Sequence, residues 1–261
     1  MKPEAGAQRP TALKFLAGTI LLLATSAAGE SALPPGFVYL RAVAPTIIQD
    51  MKYASADNFT GGRLPGYDAP ECILREPAAR ALQRVQAELE PQGFSLKVYD
   101  CYRPTRAVRA MRAWADDGKP EGPTKRFLPR LHKPYLFSLG YIATRSNHSM
   151  GKAVDLTLVP LPRPPAADFD PSAKYGSCIA PASARAPDDT IDMGTGFDCF
   201  DIKSHTAASD IDAEAKRARA MLVRAMQKQG FSNYRREWWH FDYNGDGGGY
   251  YDFPVAPRRA E

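Results

Sequence analysis

Proline sets the first limit on what this chain can fold into. Of 261 residues, 23 are proline, about 9% against a usual ~5%. Each fixes φ, removes a backbone donor and ends or bends regular structure. Seven fall between 160 and 190, where no helical or strand period survives. Residues 29–75 are broken up the same way by Pro34, Pro35, Pro45, Gly61, Gly62, Pro65, Gly66 and Pro70. The regular segments left over are short. Glu76 to Leu89 opens with Pro77, repeats Ala78, Leu82, Val85 and Leu89 at helical spacing, and stops at Pro91 and Gly93. Thr105 to Ala115 places Ala107, Val108, Met111 and Trp114 on one helical face. Ser209 to Lys228 reads as a third helix, with Ser209 and Asp212 fitting a capping box and Gly230 as its stop. Phe94 to Val98 and Lys152 to Val159 alternate as strands, and Glu237 to Tyr243 is a third strand or its approach. Strands so few and scattered exclude a doubly wound sheet. They predict one α+β domain, a central antiparallel sheet flanked by helices. The long loop at 160–200 is expected to be functional or covering.

The N-terminus has a separate logic. Lys2, Arg9 and Lys14 precede an apolar run from Phe15 to Ala24, and Ser26, Ala27 and Ala28 follow as small residues. That order is a secretory signal over residues 1–28, leaving residues 29–261 as the mature domain. The run is shorter than the ~20 residues of a spanning helix, so no stable membrane span is expected after cleavage. No cysteine follows closely enough for a lipid anchor. The expected location is the periplasm or the extracellular space. The net charge of +5 is too small to point to nucleic acid, and none is expected as a partner. Hydrophobic residues at 44% and charged residues at 24% exclude a wholly disordered, collagenous or coiled-coil chain.

Export changes the meaning of the four cysteines, Cys72, Cys101, Cys178 and Cys199. An even number in an oxidising compartment favours disulfides. Of three connectivities, Cys72–Cys101 with Cys178–Cys199 is preferred because each closes a short loop. A zinc site of four cysteines lacks any CxxC half-site.

Two stretches carry chemistry. One is Ser146-Asn147-His148-Ser149-Met150-Gly151-Lys152-Ala153-Val154-Asp155; the other is Glu237-Trp238-Trp239-His240. His148, Asp155 and His240 would give two imidazoles and a carboxylate, the ligand set of a catalytic zinc with an open fourth position. Glu237 could be the base for a water there. Taken singly, each residue has a plainer reading: a surface histidine, a turn aspartate, core tryptophans. His148 and Asp155 are seven apart, an odd offset that points to opposite faces of a regular strand. His148 must therefore lie on a loop turned by Gly151, and Glu237 and His240 need a bend or bulge between them. His132 and His205 are not expected to be ligands.

Ser146-x-His148-x-x-Gly151-x-Ala153-x-Asp155 followed by Glu237-x-x-His240 resembles the zinc D-alanyl-D-alanine peptidases, which share a fold with the hedgehog signalling domain. The resemblance is closer to the D-alanyl-D-alanine dipeptidases. It extends through Met51 to Gly61, Tyr99 to Pro104, Met193 to Asp198 and Tyr251 to Pro254. It implies a hedgehog/D-Ala-D-Ala peptidase fold and one zinc ion on His148, Asp155 and His240. It further implies Glu237 as catalytic acid/base and Arg103 as the arginine that stabilises the tetrahedral transition state. Asp198 would receive the ammonium of a small dipeptide substrate, D-alanyl-D-alanine. Tyr53 and Ser146 would line the substrate site, and Asp100 would orient Arg103. Two rivals remain. A D,D-carboxypeptidase or cell-wall endopeptidase of the same fold needs an open groove, against which the Asp198 segment argues. A non-catalytic peptidoglycan-binding module often lacks the base or the arginine, and both Glu237 and Arg103 are present.

Overall fold

The computed structural model describes Met1 and residues 33–165, 167–245 and 248–258. Apart from Met1, the export signal read at 1–28 lies outside the described residues. Residues 33–258 form one compact unit. In chain order its elements are β1 (Phe37–Tyr39), α1 (Leu40–Val43), β2 (Ile48–Gln49), β3 (Ile73–Arg75), α2 (Glu76–Leu89), β4 (Phe94–Asp100), α3 (Thr105–Ala115), β5 (Ala153–Pro160), α4 (Ala213–Lys228), β6 (Phe231–Asn233) and β7 (His240–Tyr243). Short 3₁₀ turns join them. No helix among the described residues is long and apolar enough to cross a membrane.

The main sheet has the strand order β2-β4-β5-β7-β6. Four of its strands are antiparallel, but β2 pairs with β4 in parallel, Ile48 opposite Lys97. The sheet is therefore mixed, not antiparallel throughout. β2 has two residues, too few to show a period, and its direction follows from the chain that leads it in. β1 and β3 form a separate two-stranded ribbon.

Alternation divides the sheet into a core face and a site face. Leu96, Val98, Val154, Leu156, Leu158 and Phe241 point to one side and pack under α2 and α4. Helix α2 contributes Leu82, Val85 and Leu89, and α4 contributes Leu222 and Met226, none more than 1% exposed. Full burial of each such side chain stabilises by about 1.5–3 kcal/mol. Helix α4 starts at Ala213, four residues later than the sequence suggests. Its cap is Asp212, whose carboxylate accepts from the Ala215 amide at 2.7 Å. Ser209 lies outside the helix, and one turn has only one capping position.

Asp155 and Lys97 point to the other face. The proline-rich segment covers part of it. Lys97 donates to Asp188 at 2.8 Å and to Asp189 at 2.7 Å, and the Ile191 amide donates to the Leu158 carbonyl at 2.9 Å. Both preferred disulfides, Cys72–Cys101 and Cys178–Cys199, are present. The second ties the covering segment to the residue after Asp198.

One glycine governs how the chain enters β5. Gly151 has φ +71° and ends the turn that carries His148. A Cβ there would overlap the Phe37 ring. Gly151→Ala should cost about 2–4 kcal/mol, from the left-handed backbone and the overlap together. Urea unfolding measures it; an unchanged midpoint would contradict this account of the turn.

Candidate active site

Sheet register brings the first elements of the site together. Asp155 on β5 lies opposite His240 on β7 and opposite Asp100 on β4. The β4–β5 register shifts between Val98 and Asp100. Without that bulge Tyr99, not Asp100, would face Asp155. The bulge thus sets Asp100, Asp155 and His240 in one row across three strands.

His148 comes from the Asn147–Met150 turn, as its offset from Asp155 requires. Ser146 caps that turn, its Oγ accepting from the His148 amide at 3.2 Å. Glu237 precedes β7 on a bend closed by His240 N–H to the Glu237 carbonyl at 3.3 Å. The Asn233 amide braces the bend by donating to the Glu237 and His240 carbonyls, each at 3.0 Å. Trp238 and Trp239 are core residues, at 2% and 1% exposure.

The result is three acceptor atoms facing one another. His148 Nε2 is 3.1 Å from His240 Nδ1 and 3.3 Å from Asp155 Oδ1, and His240 Nδ1 is 3.0 Å from Asp155 Oδ1. The outer nitrogens fix the tautomers. His148 Nδ1 must donate, because its partner at 2.7 Å is the Cys101 carbonyl. His240 Nε2 must donate to the Asp242 carboxylate at 3.2 Å. Both imidazoles thus turn their remaining nitrogen inward, where a cation fits the donor set. Donors at ~2.0–2.1 Å around a tetrahedral ion lie about 3.3 Å apart, close to the spacing here. Burial opposes a charged His240 imidazole, but hydrogen bonds to Asp155 and Asp242 raise it well above its usual range. Burial also acts against ionised Asp155, yet the two histidines hold its carboxyl well below the ordinary value.

Around this cluster is a cavity of about 310 Å³ lined by Tyr53, Arg103, Ser146, Asp198, Glu237 and the three candidate ligands, among others. Arg103 is immobilised. Its Nε and Nη2 reach Asp100 Oδ2 at 2.9 and 2.8 Å, and its guanidinium lies 4.9 Å over the Tyr53 ring. Asp100 is held in turn by the Tyr67 hydroxyl at 2.6 Å. Glu237 Oε2 is 3.8 Å from His240 Nδ1. Burial pushes the Glu237 carboxyl up to about 8, against the pull of His240 and Arg103.

Asp198 has φ +54°, a left-handed backbone that aspartate tolerates better than most residues. It accepts from the Tyr53 hydroxyl at 2.9 Å and is 5% exposed. Burial and the nearby Asp155 charge hold its carboxyl well above the ordinary range. Among the described residues, no lysine, arginine or histidine forms an ion pair with it.

All nine site residues expected from the sequence, from Tyr53 to His240, therefore lie at or against one cavity. His132 and His205 do not join the cluster; they contact Glu121 and Tyr141. Sequence reasoning missed Asp242, Tyr67 and Asn233. Asp242 had a signal, since His240 and Asp242 share a strand face; the other two arrive from distant loops. The Met51–Gly61 stretch delivers Tyr53 to the cavity and braces it from behind, and Tyr251–Pro254 is a support. Asn58 donates to three backbone carbonyls in the loop behind Tyr53, and Phe253 stacks on Tyr102 at 4.0 Å.

The D-Ala-D-Ala dipeptidase family of M15 peptidases matches residues 34–164 and 170–256. A D-alanyl-D-alanine dipeptidase of Enterococcus faecium is 31% identical over 84% of this chain and 98% of its own. One of Streptomyces coelicolor is 34% identical, with the same coverage. Among solved structures, the vancomycin resistance D,D-dipeptidase VanXYg with a D-Ala-D-Ala phosphinate analog covers 80% of this chain and 66% of that chain. It does so at 17% identity and a TM-score of 0.33, too low to bear on the fold or the site.

The donor set makes a metal prediction. His240→Ala should abolish stoichiometric metal binding, and Asp242→Asn should weaken it about 10–100-fold, both read by metal analysis after chelator competition. Full metal content in His240→Ala would contradict the ligand set. With this site and these matches, the chain belongs to the M15 D-Ala-D-Ala dipeptidase family of metallopeptidases.

Proposed function

We propose that this protein is an exported, zinc-dependent dipeptidase that hydrolyses D-alanyl-D-alanine to two D-alanines. The observation that carries the substrate is Asp198, a buried carboxyl in the cavity wall that forms no ion pair among the described residues. Burial keeps that carboxyl protonated, and a cation seated beside it draws it to the ionised form. The free ammonium of a dipeptide supplies one; the acylated amine inside a longer peptide does not. A ligand without that ammonium leaves Asp198 unpaired, at a cost of roughly 1–3 kcal/mol or more. The same argument disfavours a carboxypeptidase or endopeptidase, whose substrates continue past this point.

His148, Asp155 and His240 are the residues that would hold zinc. When bound there, zinc supplies Lewis-acid charge and a water of lowered pKa. Glu237 takes a proton from the attacking water and returns it to the leaving amine. Its carboxylate oxygen, 3.8 Å from His240 Nδ1, stands beside the three candidate ligands, within reach of a water held there. Arg103, locked by Asp100 and Tyr53, places a fixed positive charge beside the residues that would hold the metal, its Nη2 3.6 Å from Asp155 Oδ2. A guanidinium already oriented stabilises a developing oxyanion without reorganising. Tyr53 and Ser146 line the substrate space, Tyr53 also orienting Asp198. The two disulfides, with no free cysteine among the described residues, support an oxidising compartment, periplasmic or extracellular.

Glu237→Ala should retain metal and lose several orders of magnitude in kcat. Arg103→Ala should lose about 10²–10³ in kcat; a change in KM alone would contradict its transition-state role. The substrate reading is tested with D-Ala-D-Ala and its N-acetyl derivative. The wild type should cleave the first and reject the second, and Asp198→Ala should narrow that gap. Equal cleavage of both by the wild type would refute the ammonium site.

A further inference from the structure

The proposed substrate is a zwitterion, and Asp198 answers only its ammonium. The carboxylate end needs a cation. This inference rests on the dipeptidase reading and extends it. The basic side chains on the cavity wall are Arg103, Arg145, His148 and His240. The histidines belong to the inward-facing cluster. Arg103 is committed to Asp100 and lies against Asp155 and Tyr53.

Arg145 differs from all three. It is exposed, and no carboxylate among the described residues pairs with it. Its guanidinium carbon lies 4.7 Å from the centre of the Tyr250 ring. A ring face orients a guanidinium but takes none of its in-plane donors. The N–H edge of Arg145 is therefore oriented by the ring and has no protein acceptor among the described residues. Its backbone is held too, because the next residue, Ser146, caps the turn that carries His148.

We propose that Arg145 binds the C-terminal carboxylate of the dipeptide and is a specificity-determining residue of this site. A planar donor edge without a partner matches a carboxylate in bidentate geometry. With Asp198 reading the ammonium, the two residues form a ruler. A ligand satisfies both only when its opposite charges are separated as in a dipeptide. A longer chain offers one charge at most, and a single amino acid spans too little.

Binding measurements separate this claim from the catalytic reading. Calorimetric titration of metal-loaded Glu237→Gln, with and without Arg145→Ala, would use D-Ala-D-Ala and its C-terminal amide. The parent should bind the acid more tightly than the amide. Arg145→Ala should weaken the acid about 10–100-fold and the amide less than twofold, and Arg145→Lys should restore part of the loss. Equal weakening of both ligands marks a merely structural role and overturns the proposal. So does an acid that binds the parent no better than the amide, or that does not bind at all. Hydrolysis of D-Ala-D-Ala by the wild type is measured alongside. If binding follows the expected pattern but no hydrolysis occurs, the catalytic reading fails while the role of Arg145 stands.

Discussion

Two imidazole nitrogens and one carboxylate oxygen stand 3.0–3.3 Å apart with their lone pairs turned inward. That arrangement repels itself unless positive charge sits among the three atoms. Much of the surrounding structure serves to hold it. The β5–β7 register sets Asp155 against His240, and the bulge in β4 brings Asp100 into the same row. Gly151 turns the chain so that His148 arrives from outside the sheet. The Cys101 carbonyl and the Asp242 carboxylate then choose which nitrogen of each ring points inward. Such tension persists in a folded protein only where packing over-determines it, and here Val154, Leu156 and Phe241 anchor the same strands in the core.

The second constraint is a crowd of buried carboxyl groups. Asp100, Asp155, Asp198 and Glu237 are all at most 7% exposed, and Arg103 is the one guanidinium buried with them. Burial raises Asp198 and Glu237, while Asp155 stays ionised beside the histidines. A divalent cation and a substrate ammonium would each favour the ionised form of these carboxyls. The site is thus incomplete in two specific ways, and the two missing charges match the two halves of the chemistry proposed for it.

The segments with a clear period were legible in the sequence. Helices α2 and α3 occupy Glu76–Leu89 and Thr105–Ala115 as read, and β4 and β5 differ from the reading by one or two residues. Strands β1, β2, β3 and β6 have two or three residues each, too short for alternation to register. The parallel pairing of β2 is a tertiary fact with no local signal. The start of α4 was misplaced because Ser209 and Asp212 both suit a cap, and only the backbone decides between them. At the site, parity alone placed His148 off the strand and required a bend before His240. Tyr67, Asn233 and the free edge of Arg145 could not be read, because each depends on a contact between distant parts of the chain.

The proline-rich segment that limits regular structure also delivers Asp198. It crosses the site face of the sheet, fixed by Lys97 and by the Cys178–Cys199 bridge, and ends at the buried carboxylate. The central claim is that this carboxylate confines the enzyme to free dipeptides. The most direct test is the ratio of kcat/KM for D-Ala-D-Ala to that for a pentapeptide ending in D-Ala-D-Ala, measured with the zinc-loaded protein. The account predicts a ratio of at least about 10², the factor expected when a buried polar group is left without the partner its site is built for. A ratio near one would contradict it and assign the site to a carboxypeptidase.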